Sequence, residues 1–216
     1  MTDRMVGRTW VFGYGSLVDL ERLAGFLGRE LTPEDVAFGH LLGYRRAWNL
    51  ATDNRLDLPG YKRYLDPETG ERPEVFVTFL NLRQVEAVER GAEDNRGRPR
   101  VNGVAFRVTE GELRRIRSRE RNYRLTEVTE LWRPEASNHT PGRELPGRIL
   151  TSLGKPEAEA RFREGRATDR AVIRTSYRRL VHEAFRQRGG TWWDEYRATT
   201  DPPDVPEREL VRVDRA

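Results

Sequence analysis

The spacing of apolar and polar positions changes repeatedly along the chain, and each change marks an element. Trp10-Val11-Phe12 is an aromatic and β-branched run that stops at Gly13-Tyr14-Gly15, the pattern of a buried strand ending in a turn. Leu20, Leu23, Ala24 and Leu27 then fall on one helical face, the helix begins near Asp19, and Gly28 supplies its stop. Val36 to Leu50 reads as a long, broken strand carried by Phe38, Leu41, Leu42, Tyr44, Ala47 and Trp48. Asp53 to Pro73 is rich in proline, glycine and charge, which predicts a loop long enough to be a lid or a disordered flap.

Val75–Leu82 is the clearest strand; helical character then begins at Gln84 and gives way to a charged loop before Arg100. Gly103–Val108 is a further strand. Thr109 and Glu112 form a T-x-x-E capping box, which predicts a helix running to about Glu120. Tyr123–Trp132 alternates like a half-buried strand, Pro134–Pro146 is loop, and Arg148–Leu153 is a short strand. From Gly154 the composition turns helical. Ile173, Tyr177, Leu180, Val181, Ala184 and Phe185 form one stripe that ends at Gly189-Gly190, and Trp192, Trp193 and Tyr196 form a second. The tail from Asp201 carries three prolines and is predicted to lie extended on the surface. Short strands, a capped helix between two of them and a helical last third indicate an α+β fold. The expected division is a core domain over 1–153, a helical extension packed on it over 154–200, and an extended tail over 201–216.

Composition narrows the chemistry. In 216 residues there is no cysteine, which removes disulfides, thiolate nucleophiles and cysteine-ligated metals and fits a reducing cytoplasm. His40, His139 and His182 lack ligand spacing, so no metal site is expected. No apolar core marks Met1–Gly7 as a signal peptide and no apolar run reaches membrane-spanning length; a cytoplasmic protein with no membrane partner is expected. The net charge of +4 suggests nucleic acid at first sight, but only Lys62 and Lys155 are lysines, and the arginines are interleaved with 35 acidic residues. A solvated charged surface is the better reading, and no nucleic-acid partner is expected.

One carboxylate stands out. Leu113 and Ile116 are the apolar positions of the capped helix, and extending their stripe by four residues puts Glu120 on the same inward side. Glu120 also falls in the last turn, where the macrodipole disfavours negative charge; burial adds to that, as in carboxylates used as general bases. The competing reading is a solvated ion pair with Arg119 or Arg121. Other candidates are weaker. Ser16 lacks a histidine partner and a G-x-S-x-G elbow, so an N-cap or loop hydrogen bond fits it better than a nucleophile's role. Adjacent residues such as Glu93 and Asp94 rarely face one pocket, and the Trp192–Trp193 pair fits core packing better than a nucleotide platform.

Several stretches agree with one family. Trp10-Val11-Phe12-Gly13-Tyr14-Gly15-Ser16-Leu17 resembles the Y-G-S loop of the γ-glutamylcyclotransferases, especially the ChaC-like branch, within a superfamily that also holds the AIG2-like proteins. Gly43-Tyr44-Arg45-Arg46-Ala47-Trp48 is similar to a strand segment of that superfamily. Asn102-Gly103-Val104-Ala105-Phe106-Arg107-Val108 looks like its "G-V-x-(F/Y/W)" strand, followed, as in the family, by a helix, a Glu (Glu120) and a strand opening with Tyr (Tyr123). The resemblance implies a small closed β-barrel with helices around it and intramolecular aminolysis of a γ-glutamyl compound: glutathione, a γ-glutamyl amino acid or a γ-glutamyl amine. The products are 5-oxoproline and a released amine, and no cofactor is needed. It implies Glu120 as general acid/base, the backbone N–H groups of Tyr14, Gly15, Ser16 and Leu17 as holders of a carboxylate or oxyanion, and Tyr123 as a substrate-orienting hydroxyl. A strand running through a glycine turn into a helix start is independently a way to cradle an anion, though it is also an ordinary turn. A non-catalytic binding module on the same fold is the alternative.

Overall fold

A computed structural model describes residues 8–57, 62–85, 99–135 and 144–213. β1 (Thr9–Gly13) lies inside a six-stranded sheet with all five residues buried. It pairs antiparallel with β6 (Arg100–Val108) and parallel with β9 (Arg148–Gly154). Covered on both faces, it has no reason to alternate, which explains its unbroken apolar run. β2 (Val36–Leu42) and β8 (Trp132–Pro134) continue the sheet beyond β6, and β7 (Tyr123–Glu127) continues it beyond β9.

A second sheet has the order β11-β10-β5-β3, from β11 (Glu207–Arg208), β10 (Ala171–Arg174), β5 (Phe76–Gln84) and β3 (Tyr44–Asp53). A small ribbon pairs β4 (Arg63–Leu65) with β12 (Val211–Val213). Among the described residues, five α-helices complete the α+β fold: α1 (Leu20–Leu27), α2 (Glu110–Arg119), α3 (Pro156–Ala167), α4 (Thr175–Arg186) and α5 (Gly190–Ala198).

Local signals land where expected. Asp19 caps α1 by accepting from the Arg22 N–H at 3.1 Å, and Gly28 ends it at φ 71°. Both halves of the Thr109–Glu112 capping box are formed. Other boundaries move for identifiable reasons. The long strand from Val36 divides at Gly43, whose φ of 80° turns the chain from β2 into β3. The strand expected over Tyr123–Trp132 is cut after Glu127. There the Val128 N–H bonds the Ile149 carbonyl, and Thr129–Leu131 wind into a 3₁₀ turn before β8. Ile173 leaves the helical stripe for β10, which pairs in parallel with β5. The expected flap over Asp53–Pro73 holds β4, and buried Asn54 pins it by bonding both the N–H and the carbonyl of Tyr64. The helical start after Gln84, the Glu93–Asp94 pair and much of the loop after Pro134 lie outside the described residues.

The described strands show no closed barrel of the expected kind. Among the described residues they make three separate sheets, and no ladder joins β7 to β8. Side chains bridge the two larger sheets instead of backbone pairs. Asn81 of β5 accepts from the Gly154 N–H at 2.9 Å, Tyr123 donates to the Leu80 carbonyl at 2.7 Å, and Arg46 of β3 bonds backbone and side chain of Asn102 on β6. Next to Asn102, Gly103 is required within the first sheet, because a Cβ there would run into the Gly13 carbonyl and the Phe12 ring of β1.

Candidate functional site

The segment after β1 is fixed from behind before it meets any cavity. Gly13 and Gly15 both keep negative or extended backbone. Glycine is needed at 13 for closeness, since a Cβ would lie 2.8 Å from that of Leu17. Tyr14 turns inward, donating its hydroxyl to the Ser152 carbonyl at 2.7 Å, and its own carbonyl accepts from Arg46 Nε at 2.8 Å. Arg46 is fully buried beneath Phe185 and Tyr196, with its guanidinium 4.8 and 5.1 Å from their ring centres. Burial pulls that guanidinium down to about 10, so it remains charged at neutral pH. Ser16–Val18 then form one 3₁₀ turn whose N-cap is Gly15, not Ser16, and α4 packs against it.

Glu120 sits one residue past the end of α2, as its C-cap, with φ −91° and ψ 53°. The apolar stripe of Leu113 and Ile116 therefore does not carry it inward as a helical residue; the turn that follows does. Its N–H bonds the Ile116 carbonyl and its carbonyl accepts from the Tyr123 N–H, both at 2.9 Å. Asn122 anchors this corner: it donates to Thr52 Oγ1 at 2.7 Å and accepts from Arg161 at 3.0 Å. The Glu120 carboxylate is about one-fifth exposed and lies 3.3 Å from Arg119 Nε. Glu120 therefore has an arginine partner and also lines a cavity.

That cavity, of about 130 Å³, is lined by Ser16, Glu120 and Tyr123 together with Tyr64, Tyr177 and Arg174. Leu17 lines an adjoining recess, while Tyr14 and Gly15 back the site without lining either. Residues more than a hundred positions apart in sequence, Ser16 and Glu120, therefore share one pocket. The hydroxyl of Tyr123 donates to the Leu80 carbonyl, which leaves its oxygen able only to accept from a ligand.

Tyr177 is the site residue that the sequence concealed. It falls in a helical stripe and reads as core, and its ring does pack edge-on against Trp48 and Phe79 at 5.9 and 5.5 Å. Its hydroxyl, however, reaches toward Gly15 and the cavity. Burial, then the Glu120 charge, pushes that hydroxyl upward; burial and neighbouring phenols, with Glu120 behind them, do the same to Tyr14 and Tyr123. Two neutral phenols, Tyr123 and Tyr177, thus line the cavity with the Glu120 carboxylate. The Trp192–Trp193 pair lies elsewhere: Trp192 stacks on Phe185 and donates to Glu135 at 2.9 Å, and Trp193 stacks on Tyr196.

No helix among the described residues is long and apolar enough to cross a membrane. No protein-family model matches the sequence, and no curated protein matches it. Solved structures do match by fold. YkqA from Bacillus subtilis superposes with a TM-score of 0.51 at 13% identity, over 93% of this chain and 56% of that one. A γ-glutamyl cyclotransferase gives 0.45 at 13% identity over 92% and 90% of the two chains. A yeast γ-glutamyl cyclotransferase specific to glutathione gives 0.43 at 14% identity over 88% and 98%. At 13% identity the likeness to YkqA concerns the fold alone.

Proposed function

We propose that the protein is a γ-glutamylcyclotransferase-type enzyme that acts on a small γ-glutamyl compound. The observation that carries this reading is the meeting of the segment after β1 with Glu120 and Tyr123 at one small pocket. In the proposed reaction the substrate's α-amine attacks its own γ-carbonyl carbon. Glu120 takes a proton from that nitrogen as the ring forms and returns one to the leaving nitrogen as the original amide C–N bond breaks. The products are 5-oxoproline and a free amine; no water, oxidant or cofactor enters the balance. Ring closure is intramolecular, so holding the amine near the carbonyl supplies much of the rate. The backbone N–H groups of Ser16 and Leu17 are assigned to the glutamyl carboxylate or the developing oxyanion, with Tyr14 and Gly15 shaping the turn behind them, and Tyr123 to accepting a hydrogen bond from the ammonium. The pocket's many cations and its single carboxylate suit an anionic substrate with one internal base.

The test is 5-oxoproline release from γ-glutamyl substrates by the wild type and by Glu120→Gln. A loss of roughly 10²–10⁴-fold in kcat is expected for the variant; full rate in the variant, or an inactive wild type, overturns the reading. The 3.3 Å contact between Arg119 and Glu120 is the observation that favours a non-catalytic binding module. That alternative requires wild type and Glu120→Gln to bind γ-glutamyl compounds equally with no product from either.

A further inference from the structure

Another recess, of about 280 Å³, lies against the same corner of the fold, and Glu120 and Tyr123 belong to its walls as well as to those of the first cavity. Its cations are Arg117, Arg124 and Lys155. Glu120 is the one carboxylate among the described residues that line it, and Arg119 lies 3.3 Å from that carboxylate. The Arg124 charge reaches the Tyr44 hydroxyl, but none of the three cations is paired with a carboxylate among the described residues.

The recess forms where three elements meet. Arg117 is in the last turn of α2, Arg124 is on β7, and Lys155 is the N-cap of α3. The pairing of β7 with β9 brings them together: Tyr123 stands opposite Gly154, and the Lys155 N–H bonds the Asn122 carbonyl at 2.9 Å. Ser152 stands opposite Leu125 in the same ladder, and both line the recess. The Ser152 carbonyl is taken by the Tyr14 hydroxyl. Its own hydroxyl, on a residue only 7% exposed, has no hydrogen-bond partner among the described residues. A buried hydroxyl left unpaired is costly, and a ligand in the recess that it lines would satisfy it.

We propose that this recess binds a phosphate dianion, either free or as the head of a phosphate monoester. Guanidinium forks match the oxygens of a phosphoryl group, the Lys155 ammonium adds a point charge, and the Ser152 hydroxyl donates to a further oxygen. The recess has room for more than a phosphoryl group, and Leu125 and Tyr123 give an organic substituent a less polar wall. The site goes beyond the cyclotransferase reading and needs no turnover. Because Glu120 is on its wall, an occupant sets negative charge beside that carboxylate, which couples the two cavities.

The test is isothermal titration of the 216-residue chain at low salt with inorganic phosphate, glycerol 3-phosphate and glycerol, against sodium chloride of matched ionic strength. Both phosphates should bind and glycerol should not; the tighter of the two identifies free phosphate or a monoester as the occupant. Arg124→Gln and Lys155→Gln should each weaken binding by about fivefold. Ser152→Ala should weaken it by about tenfold, since it removes a hydrogen bond to a charged group. The same variant should be at least as stable as the wild type, because its hydroxyl has no partner to leave behind. On the wild type, phosphate should shift the amide NMR signals of Arg124, Leu125, Ser152 and Lys155 before those of Ser16 and Tyr64, which locates the site without any variant. Heat no greater than that of sodium chloride, unchanged affinity in all three variants, or shifts centred on Ser16 and Tyr64 overturns the proposal. An enzyme that makes no 5-oxoproline but binds phosphate in this way would sink the cyclotransferase reading and uphold this one.

Discussion

Arg46 Nε lies 2.8 Å from the carbonyl oxygen of Tyr14, and this contact joins the second sheet to the segment that reaches the pocket. The same guanidinium bonds Asn102 and, at 2.9 Å, Thr199 Oγ1, so one buried cation ties β3, β6 and the end of α5 together. Arg46→Met keeps most of the volume and removes every donor. The Tyr14 and Asn102 acceptors would then be buried with fewer partners, at about 1–3 kcal/mol each. We expect the urea midpoint to fall by an amount equivalent to at least 2 kcal/mol, roughly. An unchanged midpoint would show that water replaces the guanidinium without cost.

Tyr177→Phe separates the packing of that ring from its hydroxyl. The contacts with Trp48 and Phe79 survive the change, so stability should shift by less than about 1 kcal/mol. Burial and the Glu120 charge hold the phenol in its neutral form, so it can donate toward the glutamyl head. Steady-state assays should show kcat/KM lowered about tenfold, the loss expected for one uncharged hydrogen bond of about 1.4 kcal/mol. Retention of full kcat/KM would return Tyr177 to a purely packing role.

These two residues illustrate what was legible in the sequence. Signals that act over a few residues are visible in it: the Asp19 cap, the Gly28 stop and the Thr109–Glu112 box are each complete within one turn. The agreement of Ser16 with Glu120 is visible only through motif order, because their meeting depends on sheet topology. β10 was hidden because it is four residues long, its Ile173 falls at helical spacing from Tyr177, and its partner residues on β5 lie 95 positions earlier. The cations of the recess at Ser152 were hidden for a related reason. Arg117, Arg124 and Lys155 are ordinary surface types in sequence, and only the pairing of β7 with β9 gathers them.

His182 gives the fold a pH dependence. Burial first, then the charges of Arg178 and Arg186, pull its imidazole down to about 4, with Glu207 partly opposing them. Its ring lies edge-on to Trp193 and Tyr196 at 5.0 and 5.7 Å. Because the folded value lies below the unfolded one, near 6.5, the unfolded chain binds the proton more readily. Stability should therefore be full above pH 6.5 and decline as pH falls toward 4, by at most about 3 kcal/mol for this half-buried ring. Urea unfolding of the wild type and of His182→Leu across that window checks the sign: the variant should lose the slope assigned to this residue. Identical slopes would place the dependence elsewhere.

Asn54 controls the part of the site that the motifs do not cover. Its carboxamide donates to the carbonyls of Tyr64 and Pro73 at 2.9 Å each and accepts from the Tyr64 N–H at 3.0 Å, closing the segment between β3 and β5 on itself. Asn54→Ala removes all three bonds at a buried position, which should cost about 2–4 kcal/mol locally. The loss should appear first as opening of the β4–β12 ribbon, before global unfolding. Trypsin should then cleave at Lys62 and Arg63 well before other sites, and mass spectrometry of early fragments identifies them. In the same variant KM should rise while kcat stays near the wild-type value, because the corner carrying Glu120 and Tyr123 is held through Asn122 by Thr52 and Arg161, bonds in which Asn54 takes no part. A matching fall in kcat would mean that the ribbon also sets the geometry around Glu120.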